Sequence, residues 1–475
     1  MTRPLLLPLA VLALAGCVAG PPPEVATPQP VLPDGFLFAP EQSTATELAE
    51  LLPYGNPAFE SLAAAALEGS PTLGEALARI DLARAGAARA GAERLPAIGA
   101  NASIEGRRTN PAQFGDNLPD GLAFDTEQVA YAANLTARWD PDIFGRLRAQ
   151  ERAALARVDA ADASARAVRN ALLAEVAAST IDWRTLEARR IAIEDDIAAA
   201  EDLARLAGVR EEAGIAPGFD RVRAQGAADA SRSRLAALES ERARLLGRLV
   251  ALTALGGGDV QAALQGADAP GALAPPPASL PSTLLANRPD VLAAAATLAA
   301  EDATLAATAR RRFPTFELSA VVGLLAFNPA DLFDENSIVG SLAASVAGPL
   351  LDFGRIEAEI DGAAAQKRVA FEAYRGAVFT ALGDAEAAYG LVAAADREAQ
   401  AAAQEAASLR RAAALAEVRQ RAGLADFLTV LEARRAADAS GEREAAAAGR
   451  AARARVILWQ ALGGEAQPIT RSTSQ

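Results

Sequence analysis

An internal duplication constrains the fold of this chain more than any other feature of its 475 residues. Pro71 and Pro96 bound one helical stretch, and Pro289 and Pro314 bound another that lies 218 positions later. Three further pairs of short strings recur 207 or 209 positions apart: Phe144-Gly145-Arg146 with Phe353-Gly354-Arg355, Ala213-Gly214 with Ala422-Gly423, and Leu255-Gly256-Gly257 with Leu462-Gly463-Gly464. Nearly constant offsets over most of the chain indicate two tandem copies of one structural unit.

Each copy contains two stretches in which apolar and polar residues alternate. They predict strands over about 97–105 and 128–139 in the first copy, and over about 315–325 and 338–348 in the second. Alternation gives each strand one apolar and one polar face. A length of about ten residues suits a tilted transmembrane strand, although a soluble sheet with one wet face would alternate too. The membrane is favoured by aromatic residues near strand ends, namely Tyr131, Trp139 and Phe316.

The strands are followed by helices of unusual length, predicted at about 142–210, 218–255, 354–421 and 425–462. Residues 146–209 contain no proline and one glycine, and a helix of that length is roughly 95 Å long at about 1.5 Å per residue. Apolar residues within this stretch follow one another at intervals of three, four or seven, which is the spacing along the contact line of a coiled coil. They are Val176, Trp183, Leu186, Ile193 and Ile197. These helices are therefore expected to pack side by side.

Four strands cannot close a barrel, and an open sheet edge in lipid leaves backbone groups without hydrogen-bond partners. The chain must therefore oligomerise. Two copies would supply eight strands, which fill their own interior, and three copies would supply twelve, which leave a lumen. Inward polar residues such as Asn101, Glu105, Arg138 and Glu317 suit a water-filled lumen and favour a homotrimer.

The composition excludes most kinds of enzyme active site. The sequence has no histidine, one cysteine and one methionine, which excludes His/Cys zinc sites, Cys/His nucleophile pairs and Ser/His/Asp triads. Paired acids such as Asp195 and Asp196 have no supporting motif, and no phosphate loop of the form GxxxxGK[ST] occurs. We expect no enzyme activity, no cofactor and no metal site. The formal net charge of −14 also disfavours nucleic acid as a partner.

The N-terminus predicts export and an anchor. Residues 1–16 have the plan of a signal peptide, with Arg3, a short apolar stretch and then small residues. The string Leu14-Ala15-Gly16-Cys17 resembles the lipobox of bacterial lipoproteins, in which the cysteine becomes the acylated first residue. By the same resemblance, Val18 after the cysteine favours the outer membrane. The alternative is a secretory signal with an incidental cysteine.

Together, these features resemble the TolC-like outer-membrane efflux factors, in particular the OprM and NodT-type lipoprotein branch. The resemblance rests on three strings in order: Cys17-Val18-Ala19-Gly20-Pro21, Asn287-Arg288-Pro289-Asp290-Val291 and Pro349-Leu350-Leu351-Asp352-Phe353-Gly354-Arg355. It implies an α+β membrane protein in which a trimeric 12-stranded transmembrane β-barrel is continued by a long periplasmic α-helical barrel. The chain then divides into a signal peptide (1–16), an anchor, tether and equatorial segment (17–60), a first repeat (61–257), an equatorial linker (258–286), a second repeat (287–464) and an equatorial tail (465–475).

The resemblance implies an outer-membrane channel subunit of a tripartite efflux system, which passively conducts small molecules such as drugs to the exterior. The implied partners are two further copies of the chain, a periplasmic adaptor (membrane fusion protein), an inner-membrane pump of the RND type and outer-membrane lipid. The alternative is a non-conducting coiled-coil scaffold in the periplasm, tethered to the outer membrane by Cys17 alone.

The resemblance also implies two groups of site residues. The two turns between long helices would form the periplasmic tip that meets the adaptor. The residues of these turns are Gly214, Ile215, Ala216, Gly423, Leu424 and Ala425. Each glycine also fits a plain helix C-cap. Asp220, Thr429 and Glu432 are candidate gate residues. Three copies of Glu432 facing one axis would repel each other and could bind a cation, whereas the alternative is a solvated helix-face glutamate. Thr429 and Ala425 replace charged residues of some family members, so the family's ion pairs are not carried over to this chain.

Overall fold

The computed structural model describes residues 24–40, 47–110, 127–215, 217–265 and 273–464. The predicted signal peptide, Cys17, Ala216 and the predicted tail 465–475 lie outside these residues. The described chain forms two compact units. The first is built mainly from Asp81–Asp159 and Ala295–Ala373, and the second from Gln29–Ile80, Ala160–Ala294 and Tyr374–Gln475. Both units contain residues from both halves of the sequence, so the compact units do not coincide with the two predicted repeats.

The described elements, in chain order, are α1 (Pro57–Gly69), α2 (Pro71–Ala92), β1 (Ala97–Arg108), β2 (Glu127–Trp139), α3 (Arg146–Glu212), α4 (Gly218–Thr253), α5 (Gly257–Leu264), α6 (Pro281–Asn287), α7 (Pro289–Ala309), β3 (Thr315–Ala326), β4 (Ile338–Ala347), α8 (Arg355–Arg421) and α9 (Phe427–Ala461). Both α3 and α8 have 67 residues, so each measures about 100 Å along its own axis.

The start of α3 differs from the predicted position at about 142. Asp142 has a left-handed backbone with φ of 51°, and its carboxylate accepts hydrogen bonds from the amides of Leu147 and Arg148, both at 2.8 Å. Asp142 thus caps the helix from outside. Capping satisfies amides that the first turn of a helix leaves without partners, and the helix therefore begins at Arg146.

The first unit contains one antiparallel sheet of four strands in the order β1-β2-β3-β4. Strand β1 continues beyond the predicted end at about 105, because its ladder with β2 runs on to the pair Arg108 and Glu127. The two side chains form an ion pair of 3.3 Å at that end of the sheet. Close to the other end, α7 packs on the start of α8 through Leu305, Ile356 and Ile360.

The second unit is a helical bundle with a core of a few large side chains among many alanines. Trp459, Tyr389 and Phe59 are buried almost completely, and burying one such large apolar side chain stabilises a fold by about 1.5–3 kcal/mol. Alanines such as Ala381 and Ala451 are fully buried as well. Their small size lets long helices approach closely, which explains how so few aromatic residues suffice.

Buried arginines tie separate helices of the second unit together. Arg288, only 8% exposed, donates to the backbone carbonyl of Ala461 at 3.2 Å and to the carboxylates of Asp290 and Asp384 at 2.6 and 3.0 Å. The arginine lies in the string 287–291, at which the second predicted repeat begins. The buried guanidinium thus links the start of α7 to the middle of α8, at Asp384, and to the last residue of α9, Ala461.

By length and composition alone, two helical segments, Pro289–Arg312 and Arg355–Arg421, would pass as membrane spans. Alanine supplies most of the apolar character of both segments. Such helices also occur in the packed interiors of soluble bundles.

Candidate functional site

The register of the sheet collects the apolar strand positions on one face. Ala100 lies opposite Leu135, Leu135 opposite Val322, and Val322 opposite Gly340. Extending these rows by the two-residue period of a strand, the face contains Ile98, Ala100, Ala102, Ile104, Val129, Tyr131, Ala133, Leu135, Ala137, Trp139, Phe316, Leu318, Ala320, Val322, Leu324, Ile338, Leu342, Ala344 and Val346. This apolar face is open to the surroundings of the single chain, with Leu342 82% exposed.

The opposite face of the sheet carries the polar side chains of the strands, among them Asn101, Glu105, Arg138 and Glu317. We call it the polar face. It also holds a few apolar residues such as Val321. The sequence alternation predicted two faces on each strand, and the structure aligns those faces across all four strands.

The turn between α3 and α4, which we call the first hairpin turn, ends its helix with a Schellman motif. Gly214 has φ of 71°, and its amide donates to the carbonyl of Glu211 at 2.9 Å. The amide of Ile215 donates to Arg210 at 2.9 Å. This pair of bonds satisfies carbonyls that a helix end leaves free, and it needs a left-handed residue that glycine adopts without strain.

The turn between α8 and α9, the second hairpin turn, repeats the motif. Gly423 has φ of 74°, its amide donates to Gln420 at 2.9 Å, and the amide of Leu424 donates to Arg419 at 2.8 Å. Glycine therefore has the capping role at both turns. Capping and partner docking are compatible, since the cap shapes the turn that a partner would contact.

Both turns expose an apolar side chain where a Schellman motif usually packs one against its helix. Ile215 is 69% exposed and Leu424 is 70% exposed. Phe219 and Val222, in the first turns of α4, are 65% and 60% exposed, whereas Ala425 is half-buried. The single chain thus carries uncovered apolar side chains at both hairpin turns.

A small core joins the two hairpins just behind their turns. Leu203 of α3, Ala224 of α4, Ala416 of α8, and Phe427 and Val430 of α9 bury one another. The four long helices therefore pack as one bundle at this level, and a displacement of one hairpin must break these contacts.

Glu432 lies near this core but points to solvent. Its side chain is 62% exposed, and its carboxylate lies 3.6 Å from the guanidinium of Arg223 on α4. Arg223 also approaches the ring of Phe219, at 5.9 Å from the ring centroid. The predicted gate carboxylate is thus paired with the other hairpin of its own chain, a contact that the sequence does not reveal.

The other two predicted gate residues take part in helix starts. Thr429 donates both its amide, at 2.8 Å, and its hydroxyl to the carboxylate of Asp426, the residue that caps α9. These hydrogen bonds hold the pKa of Asp426 below its usual value. Asp220 lies in the first turn of α4, where the helix dipole favours a carboxylate. Within the described ranges, Asp220 forms no ion pair.

A buried acid pair, which the sequence did not identify as a site, lies deeper in the bundle. Asp196 of α3 accepts a hydrogen bond from Ser231 and one of 2.8 Å from Arg234, both on α4. Burial, together with a hydrogen bond to Asp196 and its charge, raises the pKa of Asp438 on α9 to about 7. Asp196 follows Ile193 by three residues, and this seam spacing is the signal that could have placed it between helices.

The described residues hold no group of three or more His, Cys, Asp or Glu side chains placed to bind a metal ion. Cys17, the predicted lipidation site, and Ala216, one of the predicted tip residues, lie outside the described residues.

The sequence matches the family described as outer membrane efflux protein, over residues 62–257 and 280–464. It is 32% identical over 416 residues to the pyoverdine export outer membrane protein OpmQ of Pseudomonas aeruginosa, a match that covers 86% of each chain. It is 29% identical over 469 residues to the solvent efflux pump outer membrane protein SrpC of Pseudomonas putida, covering 96% of this chain and 97% of the relative.

The fold is similar to those of solved outer-membrane channels. The outer-membrane channel OprN superposes with a TM-score of 0.83 at 24% identity, covering 94% of this chain and 99% of OprN. The open state of the MtrE channel of Neisseria gonorrhoeae gives a TM-score of 0.81 at 22% identity, covering 94% and 98%. At these identities the likeness describes the fold alone.

Proposed function

The chain belongs to the outer membrane efflux protein family, and from that premise we propose that three copies close their sheets into one 12-stranded transmembrane β-barrel, which a periplasmic barrel of long helices continues. The protein is an outer-membrane channel subunit of an efflux system. It conducts passively, in keeping with a family of channels.

The uninterrupted apolar face of the sheet carries this proposal. A soluble sheet would not leave residues such as Leu342 and Ile98 uncovered, at 82% and 77% exposure, because a large apolar surface open to water is costly. In a barrel the same face meets lipid, and the polar face lines a water-filled lumen. Trp139 and Phe316, near the strand ends on the apolar face, suit the level of the lipid headgroups.

The sheet fits the role of membrane span better than the apolar helices do. Arg355–Arg421 contains charged residues along much of its length, including Lys367 and Arg368, and charges inside lipid are expensive. A scaffold tethered by a lipid alone, the competing hypothesis, gives the apolar face of the sheet no purpose. The observations therefore favour a conducting channel.

The helix hairpins form the closing end of the tunnel in this proposal. The turns at Gly214 and Gly423, with the exposed Ile215 and Leu424, meet a periplasmic adaptor, together with Ala216 and Ala425. Asp220, Thr429 and Glu432 lie at the mouth, which opens when the adaptor favours splayed hairpins. Thr429 acts there through the cap of α9, and Glu432 through its pair with Arg223.

An acylated Cys17 would anchor the mature chain to the outer membrane and position the barrel for insertion. OpmQ is named for export of pyoverdine and SrpC for solvent efflux, and by likeness this chain would export small molecules. An inner-membrane pump of the RND type would supply the energy.

A matched pair of charge substitutions tests the membrane sheet. Leu342→Arg puts a cation on the apolar face in the middle of β4, where lipid-facing arginine costs about 2–4 kcal/mol. Ser341→Arg puts the same charge on the polar face one residue away. We expect Leu342→Arg to abolish heat-modifiable trimers in outer membranes and Ser341→Arg to leave them intact. Equal loss, or equal tolerance, would contradict the proposed barrel.

A further inference from the structure

Within the first unit, a cluster of aromatic rings joins the two halves of the described chain beside β2 and β3. Phe144, just after β2, stacks on Phe313, just before β3, with ring centroids 4.8 Å apart and planes at 15°. Phe316 at the start of β3 lies 6.2 Å away. Beside these rings, β2 and β3 pair in antiparallel register. We call this contact the internal seam.

The counterparts of the internal seam are uncovered at the two edges of the sheet. Phe353, which corresponds to Phe144 by an offset of 209, is 91% exposed, whereas Phe144 is 39% exposed. Leu95 and Ile98, which correspond to Phe313 and Phe316 by an offset of 218, are 66% and 77% exposed. Every residue of β1 and β4 is exposed as well.

We infer that β4 of one copy pairs antiparallel with β1 of the next copy in a single register, with Ser345 opposite Ser103, and that Phe353 packs on Leu95 and Ile98 of that neighbour. This external seam repeats the internal seam between chains. The inference rests on the proposed barrel and adds the residues that join its subunits.

The strand pairs within the sheet support the offsets of 218 positions between β1 and β3 and 209 positions between β2 and β4. Strands β1 and β3 both have 12 residues, and Ala97 and Thr315 begin them 218 positions apart. Ala97 lies opposite Arg138, and Thr315 lies opposite Ala347, which follows Arg138 by 209 positions. Both hairpins of the sheet therefore have the same register under the two offsets.

Applying the offsets to the internal seam gives the external register. Thr136 lies opposite Val321 in the internal seam; adding 209 and subtracting 218 converts this pair into Ser345 and Ser103. A register change of one residue would exchange the two faces of a strand. In the inferred register, Val346 meets Ala102 on the apolar face, so that face continues from copy to copy.

Side-chain sizes in the two seams are complementary. At the internal seam a Cβ added to Gly323 would lie 2.2 Å from the side-chain oxygen of Asn134 and 2.4 Å from a backbone oxygen, so a large residue faces a position that only glycine fills. The converted pair is Ala343 opposite Glu105. Here too a small residue faces a large one. The large residue, Glu105, now corresponds to Gly323, and the small residue, Ala343, corresponds to Asn134.

The turn that carries Phe353 differs from its counterpart in a way that a neighbour would explain. Phe353 has φ of 54°, whereas in the corresponding turn of the first half of the chain Asp142 is the non-glycine residue with a left-handed backbone. A bulky residue with positive φ is rare and needs surrounding contacts to hold it. Among the described residues, Phe353 stacks on no other ring, and the neighbour's Leu95 and Ile98 would supply its contacts.

Cysteine cross-linking in native outer membranes tests the register. Directly opposite residues of an antiparallel pair have Cα atoms about 4.5–5.5 Å apart, which suits a disulfide, whereas a shift of two residues brings them to about 7–8 Å. We expect Ser345→Cys with Ser103→Cys to give reductant-sensitive dimers and trimers upon mild oxidation. Each single variant should give none, and Ser345→Cys with Asn101→Cys, shifted by two residues, should give at least tenfold less.

The outcomes separate this inference from the proposed function. Cross-linking of the shifted pair instead of Ser345 and Ser103 would overturn the register. Failure of both pairs in protein that still forms conducting channels would overturn the external seam and leave the channel standing. Failure of both pairs in protein that forms neither trimers nor channels would remove the barrel and the seam together.

A second pair of variants tests the aromatic contact. Phe353→Ala should shift the dissociation of trimers to lower temperature in detergent, because it removes the side chain that packs on the neighbour. Leu350→Ala changes a residue that is 93% exposed and has a proline, Pro141, as its counterpart, so we expect no shift. An unchanged dissociation temperature for Phe353→Ala would overturn the contact with Leu95 and Ile98.

Discussion

The carboxylate of Glu432 on α9 lies 3.6 Å from the guanidinium of Arg223 on α4, so a candidate gate residue of one hairpin is bound to the other hairpin of the same chain. Three such glutamates around one axis would each have a cation beside them. Their mutual repulsion is therefore smaller than that of bare carboxylates. We propose that the pair acts as a latch, that is, as a contact that holds the two hairpins together in the closed channel.

Removing either member of this latch should favour the open channel. We expect Arg223→Ala and Glu432→Ala each to raise the open probability in single-channel recordings, with a coupling of about 0.2–1 kcal/mol between them, as for exposed ion pairs. Arg205→Ala is the control, since Arg205 pairs with Asp202 on the same helix. If Glu432→Ala instead removed cation preference while Arg223→Ala strengthened it, Glu432 would be a cation ring and not a latch.

The capping glycines of the two turns offer a test of the hairpin geometry. An added Cβ would touch nothing at Gly214 or Gly423, so alanine there is opposed only by the left-handed backbone, at about 1–2 kcal/mol. Gly226→Ala, in the interior of α4 with equally open space, should stabilise the protein by up to about 1 kcal/mol. Thermal unfolding monitored by circular dichroism distinguishes them. Equal effects at Gly226 and Gly423 would contradict the Schellman turns.

The buried acid pair predicts a pH dependence of stability. The pKa of Asp438 is raised to about 7 in the folded protein, whereas an unfolded aspartate titrates near 3.9. Between these values the folded state binds more protons than the unfolded state, so this group makes stability fall as the pH rises from about 4 to about 7. Asp438→Asn should therefore stabilise the protein at pH 8 by roughly 1–2 kcal/mol, after allowance for solvent screening.

The same substitution should have little effect at pH 4, where Asp438 is already neutral in the folded state. Asp195→Asn, which changes the exposed neighbour of Asp196, is the control and should show no such dependence. Melting temperatures of the three proteins would be compared at both pH values. A gain for Asp438→Asn that is equal at pH 4 and pH 8 would show that its charge is not the cause.

Arg288, at the start of the second predicted repeat, should stabilise the helical bundle of the second unit. Arg288→Ala removes the buried donor to the carbonyl of Ala461 and to the half-exposed carboxylates of Asp290 and Asp384, and loss of hydrogen bonds from a charged group costs about 1.5–3 kcal/mol. Arg79→Ala, which removes an exposed pair with Glu75, should change stability by about 0.5 kcal/mol or less. Denaturant unfolding gives both values. Comparable losses for the two variants would contradict the structural role of Arg288.

The sequence predicted the order and approximate bounds of the strands and long helices because each depends on local signals, whereas it gave the segment that contains α5 and α6 only as an equatorial linker. Alternation marks the strands, and the absence of proline marks the long helices. Helix α3 begins about one turn later than the sequence predicted because Asp142 caps it. The carboxylate of Asp142 accepts hydrogen bonds from the amides five and six positions ahead. Ordinary capping rules do not include this spacing.

Contacts between distant parts of the chain could not be predicted in the same way. The spacing from Ile193 could have placed Asp196 between helices, but neither its partner Asp438 nor the pair of Glu432 with Arg223 follows from local sequence. Each pair depends on how four helices rotate against one another. Thr429 shows the same limit. The family resemblance implies a gate residue at Thr429, which stays a prediction, and the part of its side chain in the cap of α9 was not predicted.

Single-channel recording is the most direct test of whether the protein is a conducting channel. The protein would be purified from outer membranes as folded trimers and reconstituted in planar lipid bilayers, once intact and once with both hairpins shortened behind Gly214 and Gly423, so that a closed gate cannot hide the pore. We predict discrete conductance steps that the shortened hairpins make larger or more frequent. Folded trimers that insert into the bilayer and pass no current, even with shortened hairpins, would show that the protein is not a channel.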